Sequence, residues 1–144
     1  MTTTIQFNGV SFAVSASLVS SGVPFPYEKN SRPQHNKYRV SVVCNNIRRS
    51  FSYFDSVANY MANKKELSES DLKEAFYCFV SDSVSGENSF EDFCSEFGYD
   101  SDSRTAEKIW RACGRSYGKL KSLLPPDVDI YDLLNYLIDL ENAG

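Results

Sequence analysis

Five cations spaced three and four apart, Arg104, Lys108, Arg111, Arg115 and Lys119, are the residues of this chain whose spacing implies a chemistry. At about 100° per residue they fall in a stripe roughly 80° wide along one side of a helix. Ala106, Ile109, Trp110, Cys113, Tyr117, Leu120 and Leu124 fall on the opposite side. Like charges at i,i+4 repel mildly, so the pattern is slightly unfavourable unless something anionic lies against it. The implied chemistry is anion recognition, of phosphates or of a partner's carboxylates. From Arg104 to Arg115 such a helix runs about 16 Å, enough to meet two or three phosphates.

Groups suited to covalent or proton-transfer chemistry are sparse. General acid–base and nucleophilic mechanisms draw on a histidine, a perturbed carboxylate pair or an activated cysteine. His35 is the single histidine, and it stands in a Pro/Asn-rich stretch with no motif around it. Most carboxylates precede or begin helical segments, where capping accounts for them. Asp100-Ser101-Asp102-Ser103 opens like a calcium loop. The sixth and twelfth positions of that loop require Gly and Glu, and here they hold Thr105 and Arg111. The glycines are scattered and form no phosphate-binding loop. Gly114 and Gly118, four apart on the flank of the basic helix, would let a neighbouring backbone approach closely. Cys44, Cys78, Cys94 and Cys113 include no CxxC pair and read as reduced thiols. A single histidine excludes the usual His-containing zinc sites. No catalytic residue, cofactor, metal or small-molecule substrate is expected.

The 144 residues, 42% hydrophobic and 14% aromatic, are enough for one folded domain with a real core. The net charge of −4 is divided unevenly. Residues 1–54 carry six Lys/Arg against Glu28 alone, whereas residues 55–144 carry nine against eighteen Asp/Glu. Either the halves attract each other or the basic surface serves a partner. No apolar run reaches the roughly 18 residues that cross a membrane. The start, Met1 to Ile5, lacks the basic and apolar regions of a secretory signal. A cytoplasmic protein without membrane association is expected.

Two kinds of element must position these residues. In residues 10–19, Phe12, Val14, Ala16 and Leu18 alternate with smaller residues as in a half-buried strand. Ser20–Asn36, with Gly22, Pro24, Pro26 and Pro33, reads as a long loop. Lys37–Cys44 and Ile47–Phe54 flank Asn45-Asn46, whose residues tolerate the positive φ of a two-residue hairpin turn. Such a turn pairs Cys44 with Ile47, Val42 with Arg49, Val40 with Phe51 and Tyr38 with Tyr53. The reverse face then carries Lys37, Arg39, Ser41, Arg48, Ser50 and Ser52. A slip of one residue would exchange the two faces, so the register is well specified. Beyond Asp55 the period becomes helical. Short-helix signals span Ser56–Asn63, and capping-box-like starts stand at Ser68/Asp71 and Ser89/Asp92. Gly98 suits a left-handed cap. The basic helix runs from about Asp102 to Leu123 and stops at Pro125-Pro126, and a last helix covers about Asp129–Glu141.

The segment Ser-Phe-Glu-Asp-Phe-Cys-Ser-Glu-Phe-Gly-Tyr-Asp-Ser-Asp-Ser-Arg at 89–104, continuing through Ala106-Glu107-Lys108 to Ala112-Cys113, resembles a recurring segment of small, mostly uncharacterised proteins of bacteriophages and mobile elements. Those proteins also carry an extended loop before a hairpin, similar to Val23–Phe54. Residues 124–144 lie beyond the likeness, and it carries no catalytic residue over to this chain. The resemblance implies a non-enzymatic inhibitor that binds a host defence complex in the host cytoplasm, such as a CRISPR effector, through charged surfaces. The fold expected from the residues is α+β: an antiparallel sheet of about three strands with four to five helices. Residues 1–55 form the hairpin-containing part and residues 56–144 the helical part of one compact domain. The sheet's apolar face is expected to bury against Phe76, Phe93, Phe97 and Trp110. Candidate partner-binding residues are Arg104, Lys108, Arg111, Arg115 and Lys119, with Lys37, Arg39 and Arg48 on the hairpin. The partner that the resemblance implies is a host protein or ribonucleoprotein complex. The alternative is a nucleic-acid-binding accessory protein that uses both basic faces.

Overall fold

The structure, a computed structural model, describes Met1–Ala143, and Gly144 lies outside the described residues. Four strands precede five helices: β1 (Thr2–Phe7), β2 (Val10–Val23), β3 (His35–Cys44), β4 (Ile47–Phe54), α1 (Val57–Met61), α2 (Glu69–Gly86), α3 (Phe90–Phe97), α4 (Arg104–Leu123) and α5 (Ile130–Ala143). The strands form one antiparallel meander in chain order. The fold class is α+β as expected, with four strands in place of about three.

Two pairs of left-handed residues set the sheet's register. Asn45 and Asn46 turn at φ 49° and 68°, and the pairs Cys44–Ile47, Val42–Arg49, Val40–Phe51 and Tyr38–Tyr53 form as the alternation requires. Asn8 and Gly9 do the same at φ 50° and 79°, closing β1 on β2 with Phe7 opposite Val10. This Asn-Gly pair is a strong hairpin signal. Only two of the six residues in β1 are large and apolar, so alternation alone does not reveal the strand. The expected loop over Ser20–Asn36 is also shorter in the structure. β2 continues to Val23 through register shifts at Leu18/Ser20 and Ser21/Val23, where Gly22 takes φ 75°. Only residues 24–34 remain outside the strands.

The chain forms two compact units, Met1–Phe76 and Tyr77–Gly144, divided within α2. In the first unit, one sheet face buries Ile5, Phe12, Val14, Tyr38, Val40, Val42 and Cys44. Phe12 meets Phe76 with ring centroids 5.1 Å apart. At the start of β3, buried Asn36 is fully engaged. Its side chain donates to the Lys64 carbonyl at 2.7 Å and accepts from Ser21 Oγ at 2.7 Å, while its carbonyl accepts from Asp55 N. Buried Asp55 in turn accepts from the Ser56 amide and from Asn59 Nδ2. These bonds offset the cost of burying polar groups and fix where β3 begins.

In the second unit, Phe93, Cys94, Ala106 and Cys113 form a buried cluster with Phe90, Ile109 and Trp110 against it. Phe97, expected in the core, is 50% exposed. It ends α3 just before the left-handed cap at Gly98, and it touches Phe93 with ring centroids 4.9 Å apart while much of its surface stays open. The capping expectations hold at Ser68, where Ser68 N donates to Asp71 Oδ2 and Asp71 N to Ser68 Oγ. They also hold at Ser89, whose hydroxyl accepts from Asp92 N.

The close backbone approach lies elsewhere than expected. A Cβ on Gly114 or Gly118 would meet nothing within 4 Å, whereas a Cβ on Gly86 would stand 2.1 Å from the Cys113 carbonyl oxygen. The clash is with backbone, which cannot swing aside. Gly86→Ala should destabilise the fold by about 1–3 kcal/mol, as overpacking does. Gly118→Ala should stabilise by up to about 1 kcal/mol, because alanine orders a helix at less entropic cost. Urea denaturation of the two variants measures both, and equal effects would refute the assignment of the close approach to Gly86.

A candidate cationic docking face on helix α4

α4 is one uninterrupted helix of 20 residues. Ser103 caps it, its hydroxyl accepting from the Ala106 amide at 3.1 Å. Asp100 and Asp102 precede its positive end, and Lys121 lies in its last turn, a charge order that favours the helix dipole. Ala106, Cys113, Leu120 and Leu123 are buried. Trp110 is half-buried, its indole N–H donating to the Asn88 carbonyl at 2.9 Å and its ring against Phe90 at 5.4 Å. These contacts fix the rotation of the helix about its axis, and the rotation decides which side chains meet water.

Arg104, Lys108, Arg111, Arg115 and Lys119 are all exposed. The five are not equivalent. Nε and Nη2 of Arg111 donate to Glu107 Oε1 at 3.1 and 2.8 Å, so a carboxylate of the same helix compensates this guanidinium. Glu107 stands one turn earlier on the same helix, a pairing that the spacing of the cations by itself does not reveal. With side chains 64% and 45% exposed, the pair contributes about 0.3–0.5 kcal/mol and weakens in salt. Among the described residues, Arg104, Lys108 and Arg115 make no ion pair. The remaining candidates, Lys37, Arg39 and Arg48, lie on the outer face of the sheet in the first unit. Three of the eight cations thus belong to the first unit and five to the second.

Burial disfavours the thiolate at three of the four cysteines. All four cysteines are free. Burial, and next the Asp82 carboxylate, push the Cys113 thiol up to about 11, and burial also raises Cys44 and Cys94. An attacking thiolate needs the opposite shift. A cavity of about 400 Å³ beside the end of α4 is lined by Tyr117, Lys121, Leu124, Pro125, Glu87 and Tyr131, among others. The Tyr131 hydroxyl there donates to Glu87 Oε2 at 2.6 Å. Among the described residues, no group of His, Cys, Asp and Glu is arranged to hold a metal ion. No helix among them is long and apolar enough to cross a membrane. Comparison with protein-family models, with curated proteins and with solved structures finds no match to this chain.

Asp82 sits on α2, exposed as a residue, yet the protein around its carboxyl desolvates it and pushes it up to about 6. A carboxyl raised above its unfolded value of 3.8 stabilises the fold only while protonated. Its contribution is full below about pH 4 and is lost as the pH rises through about 6. Asp82→Asn should therefore melt higher than wild type at pH 7.5 and at the same temperature near pH 3.5. Thermal unfolding followed by circular dichroism checks this, and a pH-independent difference would exclude the desolvated carboxyl as its cause.

Proposed function

We propose that the chain is a non-enzymatic binding protein that docks on an acidic patch of a partner protein through the cationic face of α4. The observation that carries this reading is the set Arg104, Lys108 and Arg115, exposed on one side of one helix and without an ion pair among the described residues. Their mutual repulsion is small but unrelieved, and an acidic surface laid along the helix relieves it. The rest of the unit favours a protein over a nucleic acid. Residues 77–144 carry six Lys/Arg and thirteen Asp/Glu, so a uniform polyanion approaching them meets a net charge of −7. A protein surface of mixed sign can match both the stripe and the carboxylates of α3 and its flanks, Glu91, Glu96, Asp100 and Asp102. Such complementarity sets orientation and association rate more than raw affinity.

The resemblance of residues 89–113 to bacteriophage and mobile-element proteins supports a host defence complex, such as a CRISPR effector, as the partner. Inhibition would then be stoichiometric, by occlusion. The test compares wild type with an Arg104→Glu, Lys108→Glu, Arg115→Glu triple variant against purified CRISPR effector complexes in biolayer interferometry. The variant should melt close to wild type, because all three side chains are exposed, and should bind at least about tenfold more weakly, about 1.4 kcal/mol. A variant that binds as tightly as wild type would remove α4 as the docking face. Absence of binding by wild type to any defence complex tested would remove the inhibitor reading.

A further inference from the structure

The sheet is open, with β1 at one edge and β4 at the other, and the two edges differ. Backbone N–H and C=O groups of a strand point alternately to its two sides, so an edge strand keeps half of them unpaired. Phe7 and Val10 close a two-residue turn and therefore exchange hydrogen bonds with each other. Counting back from that pair, the backbone groups of Phe7, Ile5 and Thr3 point to β2, and those of Gln6, Thr4 and Thr2 point away from it. Among the described residues, no backbone hydrogen bond from outside the ladder reaches residues 2–7.

β1 lacks every device that protects an edge. It holds no charge, no proline and no register shift. β4 is defended. It carries Arg48 and Arg49, and Arg49 Nη1 donates to the Arg48 carbonyl at 2.8 Å. The same count from the Cys44–Ile47 turn puts that carbonyl on the open side of β4.

We propose that β1 pairs with β1 of a second copy of the chain, antiparallel across a two-fold axis at Thr4. Outward residues must face outward residues, and one register achieves this throughout: Thr2 opposite Gln6, Thr4 opposite Thr4 and Gln6 opposite Thr2. Each facing pair exchanges two hydrogen bonds, so every outward group of both strands is satisfied at once. The register keeps buried Thr3 and Ile5 on one side of the joined sheet and exposed Thr2, Thr4 and Gln6 on the other. The exposed pairs, Thr4 with Thr4 and Thr2 with Gln6, are uncharged and can hydrogen-bond.

In-plane N–H and C=O groups at two-residue spacing are matched only by another extended backbone. A second copy is favoured over a loose peptide because β2 already holds β1 extended. A free peptide loses its conformational entropy on docking, and a preformed strand does not. Charge does not oppose the pairing. Cations on β3 of the two copies are five strand spacings apart, about 24 Å, well beyond the roughly 8 Å screening length. Glu69 Oε1, which accepts from Thr3 Oγ1 at 3.2 Å, already has Lys73 Nζ at 3.4 Å. None of these residues lies on α4, so the proposal does not rest on the α4 reading.

Sedimentation velocity from about 1 to about 100 µM should show the 16.3 kDa chain giving way to a species of twice its mass. Thr4→Pro removes the N–H at the axis, on the side where an edge strand tolerates proline. Thr4→Lys sets two ammonium groups face to face there. Each should weaken dimerisation at least about tenfold with unchanged circular dichroism, and about 0.5 M NaCl should partly restore the lysine variant alone. Thr4→Cys should form an intermolecular disulfide on mild oxidation, because facing Cα atoms lie about 5.5 Å apart. Thr2→Cys, about 15 Å from its symmetry mate, should not. The α4 triple variant should dimerise as wild type does. A chain still monomeric at about 100 µM would overturn the proposal, even one that took up a labelled Thr-Val-Thr-Val-Thr-Val peptide. So would a dimer that both Thr4→Lys and Thr4→Pro leave intact, one that the α4 variant abolishes, or one that Thr2→Cys cross-links as readily as Thr4→Cys.

Discussion

Two pairs of left-handed residues, Asn8-Gly9 and Asn45-Asn46, hold the sheet in a register that cannot slip by one residue. A slip would turn Tyr38, Val40 and Val42 into water and bring Lys37 and Arg39 inside. Burying either charge unpaired would cost far more than a hairpin turn contributes. Short turns thereby decide the chemistry of a whole surface. One face is mostly apolar and buries Tyr38, Val40 and Val42, and the strands of the other carry hydroxyls and cations without carboxylates.

The same logic, at a different period, governs the second unit. Burial of Ala106, Cys113, Leu120 and Leu123 and the Trp110–Asn88 hydrogen bond set the phase of α4. The five cations then face outward because no other phase keeps both the apolar stripe dry and the charges wet. In each unit the exposed cations follow from what the opposite face must bury. The two units nevertheless differ in charge, since residues 1–76 hold nine Lys/Arg against six Asp/Glu and residues 77–144 hold six against thirteen. Local charge, and not the chain's net −4, sets which partner each face suits.

The β3–β4 hairpin was legible residue by residue, because strict alternation and an Asn-Asn turn agree on one pairing. β1 was legible only through Asn8-Gly9. Its alternation is thin, as Ile5 and Phe7 stand among threonines and a glutamine. The Ser20–Asn36 stretch was misjudged at both ends because glycine and serine read as loop, while neighbouring β3 supplies the hydrogen bonds that keep Ser20–Val23 extended. Phe97 looked like core from its spacing after Phe93, but a helix that ends at the next residue leaves it little to pack against. The α4 stripe was read correctly as a helix face, although the Arg111–Glu107 contact within it was not.

Sequence alone determined which residues share a face, because period and turn chemistry are local: the basic stripe, the hairpin's two faces and the caps at Ser68, Ser89 and Gly98 all follow from neighbours within a few positions. Tertiary structure decided what no local rule carries. It placed Gly86, and not Gly114 or Gly118, against the backbone at Cys113. It extended the sheet to four strands, so that Thr2, Ser15, Ser41 and Ser50 fell into one row. It also brought Phe25 onto His35 and Phe54. Each of these joins residues far apart in sequence, and only the folded chain sets the distances between them.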